Sequence, residues 1–312
     1  KSGKKVQKAK MTQSKHLKNN LEFAVLKFLT IFIRIFPYGI AVRFSKILSF
    51  LVFSVIRFRR DVTIRNIQMA FPEKDLEECT ALAGKVYNHF GRVAVDFLYM
   101  ARLIPKRFLK LIQFENETVL QKALQAGKGV VLNGGHLGNW EFLAASIPLK
   151  GYPENIIVGA QRNNLADAWF NTNRALAGCK IIHVGGAVRK SLKALNRGEV
   201  LAILSDQDAG KDGQFVPYFG RPASAPVGAA LLSLKSGSPM VYTQAIFNNG
   251  RYVVQFERIR TDDLEGPTPE NLWELTRRFT EILEKNVRKY PEQWFWMHRR
   301  WKTRPVKEGI PA

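Results

Sequence analysis

The sequence predicts an α/β protein in which a mixed sheet is flanked by helices and preceded by a helical, membrane-associated segment. From residue 129 onward, short apolar runs alternate with amphipathic stretches, which is typical of such a sheet. The preceding residues, from 61, show apolar positions at helical spacing. With 312 residues and 46% hydrophobic residues, the chain is large enough to bury a substantial core.

The first sixty residues carry most of the unbalanced charge. The chain has 48 Lys and Arg residues against 26 Asp and Glu residues, a formal charge of +22. Residues 1–60 contain 14 of these basic residues and one acidic residue, Glu22, so +13 of the charge lies there. Residues 1–20 have few apolar residues, and a basic run of this kind is normally a solvated, disordered tail.

Residues 21–60 read as a membrane-anchoring helical hairpin. Two apolar segments, 21–36 and 40–56, are separated by a break at Pro37, and basic residues interrupt both. We therefore favour helices lying in the interface of an anionic membrane, although one spanning helix remains possible. Arg57 and the basic residues after it place this end in the cytoplasm. A secretory signal peptide and an amphipathic pair packed on its own domain are the alternatives.

The remaining residues, 61–312, read as one domain that is helical over 61–128 and α/β over 129–305. A long helix is predicted over 75–103. The predicted buried strands are 129–133, 155–159, 180–184, 199–204 and 239–247. The predicted helices between and after them are 138–149, 163–177, 186–196, 224–236 and 270–289. The turn signal at Asn249-Gly250 predicts that the last two strands form an antiparallel hairpin.

The most informative segment is GVVLNGGHLGNWEFLAAS, residues 129–146. A strand runs into two glycines and then His136, and Glu141 follows five residues later. On one continuous helix these two residues would be about 140° apart, so they can meet only if His136 precedes the helix. A histidine oriented by a carboxylate is a general base. The alternative is a histidine at a strand end that bonds to the local backbone.

Several familiar sites are missing from the sequence. There is no GxSxG, HExxH, P-loop or GxGxxG motif, so the histidine would activate a hydroxyl of the substrate rather than a resident nucleophile. Cys79 and Cys179 lack metal-ligand spacing, and the loop with Asp208 and Asp212 lacks a recognisable ligand set. We expect no metal and no organic cofactor. Nucleic-acid motifs are missing too, so we expect no nucleic-acid partner.

The segment NGGHLGNWEF resembles the HX4(D/E) motif of the lipid A late acyltransferases. These membrane enzymes acylate lipopolysaccharide precursors with acyl carrier protein thioesters. Three further segments, at 65–73, 204–241 and 291–305, resemble other parts of the family and follow its order. Together the four matches cover about residues 40–305. The mycobacterial phosphatidylinositol mannoside acyltransferases are similar too, which leaves the acceptor open.

The resemblance implies a fold like that of the glycerophosphate acyltransferases and assigns roles to particular residues. It makes His136 the general base and Glu141 its orienting partner. It matches Arg162 to the family's basic residue, which would stabilise the thioester oxyanion or bind an acceptor phosphate. Asn163 and Asn164 would bind substrate beside it. The alternative for Arg162 is an ordinary residue of a solvent-exposed loop.

Two further sets of residues are candidates for binding. Asp206 and Gln207 end a strand, where α/β sheets place binding residues, although Asp206 is also a candidate cap of the following loop. Residues 288–307 hold seven basic residues and one acidic residue, with Trp294, Trp296 and Trp301 among them. This composition fits a membrane interface, a surface for an acidic carrier protein or phosphorylated sugar, or tryptophans that cover the edge of the core.

The resemblance implies a membrane-associated O-acyltransferase at the cytoplasmic face of the inner membrane. It would move a fatty acyl chain from an acyl carrier protein thioester to a hydroxyl of a lipid A precursor. One alternative is the same chemistry on another glycolipid, such as a phosphatidylinositol mannoside, with acyl-CoA as donor. The other alternative is a noncatalytic, basic protein that binds an anionic membrane.

Overall fold

The structure, a computed structural model, describes residues 2–104 and 107–305; Lys1 and Lys307 of the two basic segments lie outside them. The predicted α/β organisation of residues 129–305 is confirmed. The central sheet has seven strands in the order β1-β9-β8-β2-β5-β3-β4, and only the β8–β9 pair is antiparallel. Its strands are β1 (Ile112–Glu115), β2 (Val130–Gly134), β3 (Glu154–Val158), β4 (Lys180–His183), β5 (Val200–Leu204), β8 (Met240–Asn248) and β9 (Arg251–Ile259).

Helices cover both faces of this sheet. Val131 and Leu201 belong to one apolar core, whereas Val130, Leu132 and Val200 belong to a second, as expected for side chains that alternate along a strand. The helices are α1 (Ser2–Ile35), α2 (Tyr38–Phe50), α3 (Arg60–Ala70), α4 (Leu76–Leu103), α5 (Glu117–Gln125), α6 (Trp140–Leu149), α7 (Asn164–Leu176), α8 (Ala187–Asn196), α9 (Gly228–Ser236) and α10 (Pro269–Lys289). The helices and strands predicted after residue 129 are confirmed, with small shifts at their ends.

Two β elements were not predicted. Strand β1 lies inside the region predicted to be helical, where it forms an edge of the sheet by pairing in parallel with β9. A four-residue strand whose partner is more than a hundred residues away leaves little local signal. Strands β6 (Gln214–Tyr218) and β7 (Arg221–Ala225) form a separate antiparallel hairpin, which packs against α10.

The N-terminal segment forms two helices separated at Pro37, as predicted. Helix α1 starts at Ser2, so the expectation of a disordered basic tail is wrong; Lys, Gln and Ala are good helix formers. A π-helical turn at Leu51–Ile56 extends α2, and the stretch Tyr38–Ile56 is long and apolar enough to cross a membrane. Of the 24 large apolar side chains exposed among the described residues, 17 lie between Leu17 and Phe58.

A buried carboxylate on α4 joins the N-terminal helices to the sheet. Oδ1 of Asp96 accepts a hydrogen bond from the Tyr38 hydroxyl at 2.7 Å. Its Oδ2 accepts one from the Tyr252 hydroxyl of β9 and one from Asn139, the residue before α6, at 3.3 Å. Arg92 lies 3.7 Å from the same carboxylate. Asp96 therefore connects α2, α4, β9 and the start of α6.

We predict that Asp96→Ala lowers the free energy of unfolding by about 3 kcal/mol, because it leaves a half-buried arginine and two tyrosine hydroxyls, one of them fully buried, without their acceptor. The measurement is equilibrium urea unfolding in a mild detergent. The matched control is Asp262→Ala, which breaks an exposed ion pair with Arg258 and should cost less than about 1 kcal/mol. Equal losses in the two variants would show that Asp96 does not hold these elements together.

Candidate active site

The register of two parallel strands brings His136 and Asp206 together. Strands β2 and β5 are neighbours, and Gly134 pairs with Leu204 at their carboxyl ends. His136 and Asp206 each lie two residues beyond this pair. The two segments are still held together there, because the Ser205 N–H donates to the Gly134 carbonyl at 3.0 Å. Nδ1 of His136 and Oδ1 of Asp206 are 2.7 Å apart. The sheet therefore builds a histidine–carboxylate pair at its carboxyl edge, where α/β proteins bind ligands.

Asp206 is buried, and its carboxylate accepts three hydrogen bonds. Oδ2 accepts the backbone N–H of His136 at 2.7 Å and the indole N–H of Trp294 at 2.9 Å. Burial opposes ionisation of Asp206, but the electrostatic interaction with His136 and these hydrogen bonds outweigh it, so its pKa lies below its ordinary value. An ionised Asp206 holds the Nδ1–H tautomer of His136, which leaves Nε2 as a proton acceptor.

The turn that carries His136 is held on both sides. Gly138 has a φ of +69°, and a Cβ there would lie 2.0 Å from the carbonyl oxygen of Ala245 in β8. Its N–H donates to the Gln293 carbonyl at 2.8 Å, and its own carbonyl lies 3.1 Å from Nε2 of His89. A glycine is therefore required between the histidine and α6, because any other side chain would collide with β8.

Aromatic rings flank the imidazole. The Trp140 ring meets it edge-on at 4.8 Å between centroids, and Phe295 lies 6.3 Å away. The His136 side chain is 21% exposed, and its Nε2 has no hydrogen-bond partner within residues 2–104 and 107–305. The free nitrogen can thus take a proton from a substrate group in partly apolar surroundings.

Glu141 does not orient His136, which corrects the predicted His-Glu dyad. Helix α6 begins at Trp140, capped by Asn139, whose side chain accepts the Phe142 N–H at 3.0 Å. In the first turn of this helix Glu141 points to α7, where Arg174 donates Nε and Nη2 to its two carboxylate oxygens at 2.9 and 2.6 Å. This buried, bidentate pair fixes α6 against α7, while Asp206 takes the orienting position.

The other predicted binding residues lie on two different loops. Arg162 and Asn164 are exposed after β3, and β3 is separated from β2 by β5, a distance of about 10 Å at ordinary strand spacing. Asn163 caps α7 by accepting the N–H groups of Leu165 and Ala166, and it also donates to the Asn19 carbonyl of α1, so the structure gives it a structural role.

Gln207 follows Asp206 directly and is half-buried. Its side chain makes no hydrogen bond to any residue that the structure describes. Among the residues predicted to bind substrate, it is therefore the one that lies beside the His136–Asp206 pair with its amide group uncommitted.

The C-terminal tryptophans belong to the core, so their proposed place at a membrane interface is wrong. Trp294, Trp296 and Trp301 are 1%, 0% and 7% exposed. Phe295 donates its N–H to the His136 carbonyl at 3.0 Å, and Trp294 reaches Asp206. The sequence did not identify Trp294 or Arg174 as parts of the site. The Trp-rich C-terminal motif could have indicated Trp294, whereas no local pattern distinguishes Arg174 from other arginines.

The segment that follows these tryptophans is tied to the loop after β5. The Asp208 N–H donates to Nε2 of His298 at 3.0 Å, and the Asp208 carboxylate accepts bonds from Thr303. Asp208 therefore has a structural role. The described residues contain no group of three or more histidine, cysteine or acidic side chains that could hold a metal ion. Both cysteines, Cys79 and Cys179, are buried and free.

A narrow, mostly apolar cavity of about 70 Å³ lies between the sheet and α6. Its lining includes Gly134, two residues before His136, and Trp140 beside the imidazole. Apolar side chains such as Leu143 and Ile156 form much of the rest, and the Glu141–Arg174 pair lies in its wall.

Comparison with known proteins gives a family match and several relatives. The family described as bacterial lipid A biosynthesis acyltransferase matches residues 7–303. The lipid A biosynthesis palmitoleoyltransferase of Escherichia coli K12 is 28% identical over 258 residues, covering 81% of this chain and 82% of that protein. The lauroyltransferase of the same strain is 25% identical, covering 88% and 89%. The phosphatidylinositol mannoside acyltransferase of Mycobacterium tuberculosis H37Rv is 23% identical, covering 58% and 57%.

We predict that stability falls as the pH drops from about 6.5 to about 4. Burial lowers the pKa of His89 and of His298 to about 4, so in this window the unfolded chain binds protons that the folded chain does not. Between pH 7 and pH 5 each histidine should cost about 2 kcal/mol. Urea unfolding at the two pH values measures the loss. His89→Gln and His298→Gln should each flatten the dependence, and an unchanged slope in both would contradict it.

Proposed function

The chain belongs to the bacterial lipid A biosynthesis acyltransferase family, and we propose that it moves a fatty acyl group from an acyl carrier protein thioester to a hydroxyl of a lipid A precursor. The observation that carries this proposal is the His136–Asp206 pair, with a free Nε2 at the carboxyl edge of the sheet. Such a pair is an oriented general base, which is what a hydroxyl needs to attack a thioester.

In the proposed reaction Nε2 of His136 takes the hydroxyl proton as the oxygen attacks the thioester carbonyl. The tetrahedral oxyanion then collapses, the carbon–sulfur bond breaks, and the imidazolium returns the proton to the departing thiolate. The buried Asp206 carboxylate stabilises the imidazolium between these two steps. No metal or organic cofactor takes part in this scheme.

We propose further roles for Arg162, Asn164 and Gln207. The exposed Arg162 guanidinium has no hydrogen bond or ion pair with the described residues, so it is free to bind the oxyanion or an acceptor phosphate. Asn164 is exposed beside it. Gln207 follows Asp206 and would bind the acceptor near the base.

The narrow cavity beside α6 is our candidate for the start of the acyl-chain site. Gly134 and Trp140, next to the reacting centre, are part of its lining, and its mostly apolar lining matches a hydrocarbon chain. The part of the acyl chain nearest the thioester would enter this cavity, between the sheet and α6.

We propose that the N-terminal helices hold the enzyme at the cytoplasmic face of the inner membrane. The exposed apolar side chains between Leu17 and Phe58 would otherwise face water. The basic residues Arg57, Arg59 and Arg60 follow the apolar stretch, which favours a cytoplasmic position and attraction to anionic lipid. Membrane attachment would bring the site to an acceptor that is itself a lipid.

A second acceptor class deserves a direct test, because phosphatidylinositol mannoside acyltransferases are among the relatives. The chemistry at His136 would be the same, with acyl-CoA as the donor. Product mass analysis with each acceptor and each donor separates the two. Transfer to the mannoside alone would leave the mechanism intact and make our proposed acceptor wrong.

We predict that His136→Ala and Asp206→Asn each lower kcat by about 10² or more, since one removes the base and the other its counter-charge. Glu141→Gln should act through Arg174, so Arg174→Gln should have an effect of the same size and the double variant no greater effect. The rate of acyl transfer is measured for the parent protein and for all five variants. A large loss for Glu141→Gln beside an unaffected Arg174→Gln would restore Glu141 as the partner of His136.

We predict that Ala202→Leu shifts donor preference toward shorter acyl chains, because Ala202 lines the narrow cavity. Leucine adds three carbon atoms, and displacing as many methylenes of the acyl chain costs about 2.4 kcal/mol, so kcat/KM for a long chain should fall about fiftyfold relative to a short one. The matched control is Ala168→Leu on the exposed side of α7. If both variants keep the parent's preference, the acyl chain binds elsewhere.

A further inference from the structure

A second, larger cavity lies between α3 and the C-terminal segment. Its volume is about 530 Å³. Most of its lining side chains are charged or aromatic, and four are basic. The lining residues that matter here are Asp61, Arg65, Arg299, Trp301, Lys302 and Arg304.

The positive charge of this cavity is poorly compensated. Lys302 lies 3.3 Å from the buried Asp208 carboxylate. Arg65, Arg299 and Arg304 are exposed and have no ion pair within the described ranges 2–104 and 107–305. Asp61 is the one acidic residue of the lining. Four cations and a single carboxylate in one lining favour an anion, and arginine suits phosphate because its fork of N–H groups matches phosphate oxygens.

The walls of the cavity are held in place before any ligand binds. Asn66 of α3 donates to the carbonyls of Trp296 and His298 at 2.8 and 2.6 Å, which ties the two walls together. Trp301 is 7% exposed, and its indole N–H finds no acceptor among the described residues. A buried donor without an acceptor is unfavourable, so an oxygen-rich ligand would complete the site.

The location of the cavity identifies the kind of ligand. Helix α3 begins at Arg60, four residues after the apolar stretch Tyr38–Ile56 ends, which places this helix at the level of lipid headgroups if that stretch enters the membrane. A volume of about 530 Å³ suits a phosphorylated sugar, whereas a folded carrier protein would need an open surface.

The cavity is also linked to the base. Asp208 binds Lys302 and Thr303 of the cavity segment, while Asp206, two residues earlier, binds His136. Two residues of chain span at most roughly 7 Å. We propose that this cavity binds a phosphate on the sugar headgroup of the acceptor lipid, and thereby positions the acceptor hydroxyl at His136. This inference rests on the proposed function and names the part of the site that selects the acceptor.

The test compares Arg65→Gln/Arg304→Gln with a matched control, Arg189→Gln/Arg251→Gln, whose arginines are exposed outside the cavity. Acceptor and donor KM are measured with a phosphorylated lipid A precursor and with its dephosphorylated form. The cavity variant should raise KM for the phosphorylated acceptor about tenfold or more, because charged hydrogen bonds to phosphate are lost. It should leave donor KM and the KM for the dephosphorylated acceptor unchanged.

Each other result overturns the proposal. A higher KM for the donor would place the phosphate of the carrier's pantetheine arm, or the acidic carrier itself, in the cavity. Equal loss with both acceptors would indicate a structural effect, and unchanged constants would mean that the cavity is not used. Thermal unfolding of both double variants checks that the fold is intact.

Binding without turnover separates this proposal from the proposed function. The phosphorylated precursor, in neutral detergent micelles, is titrated into full-length His136→Ala protein with and without the two cavity substitutions. Binding that depends on phosphate and on Arg65 and Arg304 would support the cavity even if no donor gave transfer. Transfer by the parent enzyme without any phosphate-dependent binding would reject the cavity and leave the acyltransferase function standing.

Discussion

The rest of the site depends on one buried carboxylate. Asp206 accepts three hydrogen bonds, from the backbone and the imidazole of His136 and from the indole of Trp294. An ionised group with almost no exposure persists only because these donors replace its hydration. The same bonds fix the position of the His136 turn, its tautomer, and the place where the C-terminal segment crosses the sheet edge. The three hydrogen bonds of Asp206 therefore both orient the base and hold the surrounding segments together.

The surrounding framework serves this arrangement from several directions. The turn is clamped between β8 and the C-terminal segment at Gly138, and Asn139 connects it to the Asp96 network that also reaches the N-terminal helices. Asn66 ties α3, which follows the apolar stretch, to the same C-terminal segment. The elements proposed to meet the membrane are therefore linked through chains of hydrogen bonds to those that hold the base.

Much of the fold could be predicted from the sequence because the strands and helices after residue 129 carry strong local patterns. His136 and Asp206 were both identified as candidates at strand ends, but their partnership depends on β5 lying beside β2, and strand order is not written locally. Without the strand order, Glu141 was the expected partner because it is the acidic residue nearest to His136 in the sequence. No sequence pattern indicated that Arg174 binds Glu141. The burial of Trp294 was one of several alternatives that the sequence left open, since Trp beside basic residues is also the composition of a membrane interface.

The most direct measurement of the central claim is the proton resonance of the imidazole Nδ1–H of His136 in detergent-solubilised protein labelled with ¹⁵N-histidine. The substitution His136→Gln assigns the signal. A charge-assisted bond to Asp206 predicts a strongly downfield proton that is lost or shifted in Asp206→Asn and retained in Glu141→Gln. A signal that survives Asp206→Asn and disappears in Glu141→Gln would contradict the account and make Glu141 the residue that orients the base.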